Sequence, residues 1–184
     1  MRMAARQARD VLLGGGVIAY PTEGVFGLGC LPDDIDAVER ILWIKERSPH
    51  KGLILIAARP EQFDDWVDPA IRGALPQPDP RQPVTWIVRP GSRVPAIVTG
   101  DNPGLAVRIT TNPTAAAICD AVDMPIVSTS ANVAGRPVAR NSFILHRNFG
   151  RLVDFVVPGE CGPASGPSEI RELESGRVLR PGKS

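Results

Sequence analysis

The chain has 184 residues, 43% of them hydrophobic and 22% charged, with a formal net charge of +1. That length suits one domain with a substantial core, and the near-neutral total excludes a surface coated throughout with nucleic-acid-binding cations, so any basic feature must be local. Three cysteines, Cys30, Cys119 and Cys161, lie far apart without a C-x-x-C pair; they argue against a disulfide framework or zinc site and read as small core residues in a reducing, cytoplasmic compartment. With no charged-then-apolar leader and no apolar run of spanning length, neither secretion nor membrane insertion is expected.

Ala4 to Leu13 reads as a helix stopped by Gly14-Gly15-Gly16. No Gly-Lys-Ser/Thr follows these glycines, so they are taken as a cap and turn, not a phosphate loop. Val17 to Tyr20 is a strand that delivers the chain to Pro21-Thr22-Glu23-Gly24-Val25-Phe26-Gly27-Leu28-Gly29-Cys30. Glycines there would let backbone amides approach a ligand, and Thr22 adds a hydroxyl at a strand end.

Asp33 and Asp34 are N-cap candidates for a helix whose buried stripe is read as Ile35, Val38, Leu42 and Lys45. A lysine on that stripe points into a cleft or snorkels out at the helix end. Pro49 and Gly52 break the helix ahead of a buried strand, Leu53–Ala57. Lys45, Arg47 and Lys51 thus fall within seven residues beside that strand. Together they suggest an anion site, although a last-turn cation also complements a helix dipole.

Short helices are expected over Pro60–Trp66 and Pro69–Leu75, and an irregular surface loop over the proline-rich 76–83. Strands follow at Val84–Arg89 and Leu105–Ile109, the second carrying Arg108 inside an apolar run. A buried arginine must be paired, so Arg108 should meet a carboxylate of the protein or of a ligand. Asn112-Pro113 opens a helix through Ala121; a strand from Ile126 then ends in Ser128-Thr129-Ser130-Ala131-Asn132, a second candidate wall of hydroxyls and an amide. Ser142 is read as the cap of a helix to Phe149, followed by a strand at Phe155–Val157, a Gly/Pro/Ser loop over 158–167 and a hairpin of Ile170–Leu173 with Val178–Arg180.

His50 and His146 sit in no nucleophile motif, and no carboxylate cluster has metal-ligand spacing. Cations, hydroxyls, an amide and glycine backbone remain. Such groups position phosphates and stabilise charge that develops on them.

Five motifs taken together resemble the YrdC/TsaC family of short bacterial threonylcarbamoyl-AMP synthases. They are Pro21-Thr22-Glu23-Gly24-Val25-Phe26-Gly27, Lys45-x-Arg47 with Lys51-Gly52-Leu53-Ile54, Leu105-Ala106-Val107-Arg108, Ser128-Thr129-Ser130-Ala131-Asn132, and Pro167-Ser168-Glu169-Ile170-Arg171 with Leu179-Arg180-Pro181-Gly182. The resemblance implies a single YrdC-like α/β domain over residues 1–184, a twisted mixed sheet flanked by helices around a basic cavity. The implied reaction converts L-threonine, bicarbonate or carbon dioxide, and ATP with Mg²⁺ to threonylcarbamoyl-AMP and pyrophosphate, with no tightly bound prosthetic group and no protein-held metal. The product would pass to a transferase complex that modifies tRNA beside the anticodon. By the same resemblance Lys45, Arg47 and Lys51 are catalytic and, with Gly104, Asn132, Arg140 and Arg180, bind ATP. Thr22, Arg108, Ser130 and Ser168 would hold threonine. Two positions depart from the longer members, which commonly carry threonine where Gly24 stands and histidine where Ile56 stands. The competing readings are an RNA-binding or ribosome-maturation factor using the basic cavity and a carbamoyl-transfer module like that of hydrogenase-maturation proteins. Weak direct contact with RNA or tRNA is left open.

Overall fold

Alternation of apolar side chains along the strands decides how the chain folds, because each strand presents one set of residues to either face of a sheet. In the computed structural model, which describes residues 2–139, 141–164, 166 and 168–182, the strands are β1 (Ile18–Pro21), β2 (Phe26–Gly29), β3 (Ile54–Ala57), β4 (Val84–Val88), β5 (Leu105–Ile109), β6 (Ile126–Ser130), β7 (Phe155–Val156), β8 (Glu169–Glu172) and β9 (Val178–Arg180). They form one mixed sheet in the order β7-β1-β2-β6-β3-β5-β4-β8-β9. The parallel pairs are β1 with β7, β3 with β5 and β4 with β8.

Five helices flank the sheet: α1 (Arg2–Leu13), α2 (Ile35–Ile44), α3 (Ala96–Thr99), α4 (Pro113–Val122) and α5 (Ser142–Phe149). On one face Ala19, Leu28, Leu55, Val107 and Val127 pack with Val38 and Ile41 of α2 and with Leu145 and Phe149 of α5. On the other, Ile18, Tyr20, Ile56 and Ile126 pack with Ala8 and Leu12 of α1 and with Ala115, Ile118 and Cys119 of α4. Each buried Leu, Ile or Val contributes about 1.5–3 kcal/mol relative to exposure, so both faces hold a real core. Among the described residues no helix is long and apolar enough to cross a membrane.

This second face is only partly covered, and the uncovered part becomes the site. Sheet curl closes it. Thr22 follows Tyr20 off one end of β1, while Thr110 follows Arg108 off the other end of the register at β5, four strands away. Even so, Glu23 Oε1 accepts from Thr110 Oγ1 at 2.6 Å and from the Thr111 amide at 3.0 Å. The Asn112 side-chain amide donates to Thr22 O at 3.0 Å. Strand-by-strand twist brings these diagonal corners over the same face, and polar bonds hold them there.

Several sequence expectations need correction. The glycines of Phe26–Gly29, expected to bring backbone amides to a ligand, lie in a strand; a Cβ on Gly29 would lie 2.7 Å from Val127 O and 2.8 Å from Tyr20 Cε1, so this glycine makes room for a tyrosine ring, not for a ligand. Ile35 is exposed, because the buried face of α2 runs through Ala37, Val38, Ile41, Leu42 and Ile44. Pro60–Phe63 and Pro69–Ile71 are single 3-10 turns, shorter than the helices expected over Pro60–Trp66 and Pro69–Leu75. Asn141, not Ser142, caps α5, its side chain accepting from the Ile144 amide at 2.9 Å. The four-residue α3 had no periodic signal. Cys30 and Cys119 are buried, as expected of core residues, and Cys161 is half-buried.

Candidate active site

The cavity on the uncovered face has a volume of about 600 Å³, within the ordinary range for small-molecule sites. Its lining includes five cations, Arg47, Lys51, Arg108, Arg136 and Arg180, and one carboxylate, Glu23. Of the residues singled out from sequence, Thr22, Arg47, Lys51, Gly104, Arg108, Ser130, Ser168 and Arg180 all line it. Lys45 and Asn132 do not, and Arg140 lies outside the described residues.

The end of α2 explains how Lys45 and Arg47 diverge. Glu46 N donates to Trp43 O and Arg47 N to Leu42 O, both at 3.0 Å, the paired bonds of a Schellman cap. Glu46 occupies the left-handed position, with φ 48°, that glycine usually takes. This reversal turns Lys45 inward and Arg47 toward the cavity. Lys45 is buried, and its ammonium donates to Ser130 O, to Asn132 O at 2.9 Å and to Asn132 Oδ1 at 3.3 Å. Burial, and then the charge of Arg47, pull its pKa down to about 8; the three oxygens around Nζ favour the ammonium form at neutral pH.

Asn132 is equally committed. Its Oδ1 accepts from Ser130 Oγ at 2.6 Å, and its Nδ2 donates to Val133 O at 3.0 Å and Arg136 O at 2.9 Å. Lys45 and Asn132 therefore frame the turn after β6 from behind, and that turn presents Ser130 and Arg136 to the cavity.

Arg47 reaches across the next turn to Lys51 O at 3.2 Å and Gly52 O at 2.8 Å. Gly52 adopts φ 61°, and a Cβ there would lie 2.6 Å from Thr99 O; only glycine fits this tight approach of the turn to α3. Arg47 Nε is buried without a hydrogen-bond partner among the described residues. Burial lowers the Arg47 pKa, and burial followed by the charges of Arg108 and Arg47 lowers that of Arg180. The guanidinium groups crowd one another with a single carboxylate among them. An anionic guest would relieve that repulsion.

At the inner end Arg108 sits between two partners. Nη2 lies 3.3 Å from Glu23 Oε2, and Nη1 donates to Ser168 Oγ at 3.2 Å. Ser168 Oγ also pairs with the buried Thr85 Oγ1 at 2.7 Å, and Arg180 Nη2 donates to Ser168 O at 2.8 Å. Sequence reasoning asked only that Arg108 meet a carboxylate. The protein supplies one from Glu23, which had no role assigned although it stands next to Thr22. Arg136 and Thr85 were also unassigned, since an exposed loop arginine and a strand threonine carry no pattern of their own.

Comparison with known proteins agrees with this geometry. The Sua5/YciO/YrdC family model, described as telomere recombination, matches residues 10–182. The chain belongs to this family. A protein of Nitrosococcus oceani named threonylcarbamoyl-AMP synthase is 46% identical over 183 residues, covering 98% of this chain and 96% of that protein. P. abyssi Sua5 complexed with L-threonine superposes with a TM-score of 0.86 at 26% identity, over 99% of this chain but only 55% of the Sua5 chain. E. coli YciO gives a TM-score of 0.81 at 25% identity, covering 99% of this chain and 90% of its own.

Both departures from the longer family members have local reasons. A Cβ on Gly24 would lie 2.5 Å from Ala164 O and 3.2 Å from Gly166 O; the loop after β7 rests directly on it, tied by Gly162 N to Thr22 O and Ala164 N to Glu23 O, each at 2.9 Å. Ile56 is fully buried in the core under α4 and does not line the cavity. Its apolar side chain belongs to the packing, not to the ligand.

Two outcomes test this site. Relieving the left-handed strain by Glu46→Gly should raise stability by up to about 1 kcal/mol, read as a higher urea midpoint. Glu23 is buried, which alone would raise its pKa, but the Arg108 charge and hydrogen bonds from Thr110 and Thr111 outweigh that and hold it below its unfolded value of 4.5. A depressed carboxylate stabilises the fold above its unfolded pKa and ceases to do so as pH falls through the folded value. Glu23→Gln should therefore cost about 3–5 kcal/mol at neutral pH by leaving Arg108 buried and unpaired. An acid titration of the wild type should show a loss of stability below pH 4.5, and the variant should lack part of it.

Proposed function

We propose that this chain is a threonylcarbamoyl-AMP synthase, joining L-threonine, bicarbonate or carbon dioxide, and ATP into threonylcarbamoyl-AMP with release of pyrophosphate. The observation that carries this reading is the cavity itself. Five cations face one carboxylate in a space of about 600 Å³, in a chain 46% identical, over 98% of its length, to a protein of that name.

Threonine's amine, once carboxylated, presents a carbamate oxygen to the α-phosphorus of ATP, and pyrophosphate departs. Negative charge gathers on the phosphoryl oxygens and the leaving group. Arg47, Lys51 and Arg180 are placed to balance it, with the backbone at Gly104 beside the nucleotide; a Cβ on Gly104 would overlap Ile87 Cγ2. Arg140 is assigned to the same work by family resemblance. Lys45 and Asn132 serve the nucleotide indirectly, by holding the turn that carries Ser130 and Arg136.

Arg108, with Ser168 and Thr22, is assigned to the threonine carboxylate, and Ser130, which lines the same cavity, is assigned to that substrate too. The rate then comes from orientation and preorganised charge, without a covalent enzyme intermediate. Magnesium belongs to the nucleotide substrate, bound chiefly through phosphate oxygens and water. Glu23, the cavity's carboxylate, is already committed to Arg108 and Thr110. A transferase that modifies tRNA would consume the product.

RNA binding is not the favoured reading. Aromatic residues make up 5% of the chain, few for base stacking, and the cations converge on a small-molecule cavity instead of spreading over a face. Purified protein with Mg²⁺ and ATP should release pyrophosphate only when both L-threonine and bicarbonate are present. Arg108→Ala should raise the KM for threonine by about 10- to 100-fold, the loss of a charge-assisted contact, and Lys51→Ala should lower kcat by a similar factor. Release that ignores threonine would overturn the assignment.

A further inference from the structure

One buried group next to the cavity is used neither by the packing nor by the mechanism above. The Tyr20 hydroxyl is fully buried and, among the described residues, has no hydrogen-bond partner of acceptable geometry. An unpaired hydroxyl in a core costs free energy that phenylalanine would not incur. Its persistence calls for a reason.

Geometry supplies one. Gly29 has no side chain, and the Tyr20 ring lies across it, with Cε1 2.8 Å and the hydroxyl 3.5 Å from where a Cβ would stand. The register that pairs Gly27 with Ser130 and Leu28 with Thr129 sets Ser128 beside Gly29. The phenol is thus aimed over Gly29 at the next strand, β6, where Ser128 is almost completely buried at 4% exposure and still lines the cavity. Ser128 is near enough to lower the phenol's pKa, against a much larger rise from burial. The charges of Arg108 and Glu23 also act on this phenol, in opposite directions.

We infer that Tyr20 and Ser128 form a hydroxyl relay that closes when the amino-acid substrate binds. The Tyr20 O–H donates to Ser128 Oγ, which leaves the Ser128 proton directed into the cavity at an anionic oxygen of threonine or of its carbamate. Burial keeps the phenol protonated, so it acts as a fixed donor. A serine hydroxyl otherwise turns freely; a single donor behind it fixes which way its proton points. Ser128 would touch substrate, and Tyr20 is a positioning residue that acts through it. This inference rests on the synthase reading.

The test is a comparison of Tyr20→Phe, Ser128→Ala and the double variant with the wild type. The readouts are urea midpoint, ATP affinity by calorimetry, and steady-state pyrophosphate release as a function of threonine. The relay predicts that Tyr20→Phe keeps or raises the midpoint, binds ATP normally and loses about tenfold in kcat/KM for threonine. It also predicts that the double variant is no worse than Ser128→Ala alone, because the two act as one unit. Wild-type threonine kinetics in Tyr20→Phe, losses that multiply in the double variant, or a kinetic loss that comes with a lowered midpoint would each overturn the relay while leaving the synthase reading in place. A wild-type protein that releases no pyrophosphate with threonine and bicarbonate would overturn both.

Discussion

The contact between Glu23 and Arg108 is the constraint on which the rest of the site depends. Glu23 comes from the chain leaving β1 and Arg108 from β5, four strands away in the sheet. Their pairing, with the bonds from Thr110, Thr111 and Asn112, fixes the curl of the sheet. Without that curl the residues from β1, β3, β5 and β6 would face open solvent. The same contact compensates the burial of Arg108, whose remaining donors then stay near neutral ligands such as the Ser168 hydroxyl.

Around this pair the cavity holds more positive than negative charge, and the excess is local. The chain as a whole carries only +1, so the field is generated by convergence instead of by composition. Burial lowers the pKa of Lys45, Arg47 and Arg180, and repulsion from neighbouring cations adds to it at Lys45 and Arg180. Folding therefore stores unfavourable electrostatics that a polyphosphate and a carboxylate can discharge. On the proposed reading that is the physical form of substrate affinity.

Much of this was legible in the sequence where a local rule applied. Val38 and Leu42 marked the buried side of α2, Asn112-Pro113 marked the start of α4, and an arginine inside Leu105–Ile109 announced a buried charge pair. Failures came where the deciding neighbour is distant in the chain. Phe26–Gly29 alternates Phe and Leu with strand-weakening glycines and becomes a strand because β1 and β6 pair with it on both sides. Lys45 read as a cation that points into a cleft or snorkels out at the helix end, and the carbonyls it donates to lie 85 and 87 residues away. Glu23 was quoted within a motif and given no task, since its partners, too, are set by the sheet's curl. Thr22, Arg47, Lys51, Gly104, Arg108, Ser130, Ser168 and Arg180, named by the family pattern, line the cavity, and that pattern was silent on which residues face inward and which brace the wall from behind.

The most direct test of the account follows the carbon atom. Purified protein, MgATP, L-threonine and ¹³C-labelled bicarbonate are mixed, and the nucleotide products are separated and weighed by mass spectrometry. The account predicts an AMP ester carrying both threonine and one heavy carbon, formed in step with pyrophosphate and absent when threonine is omitted. Labelled product lacking the amino acid, or AMP and pyrophosphate with no adduct formed at any time, would contradict it.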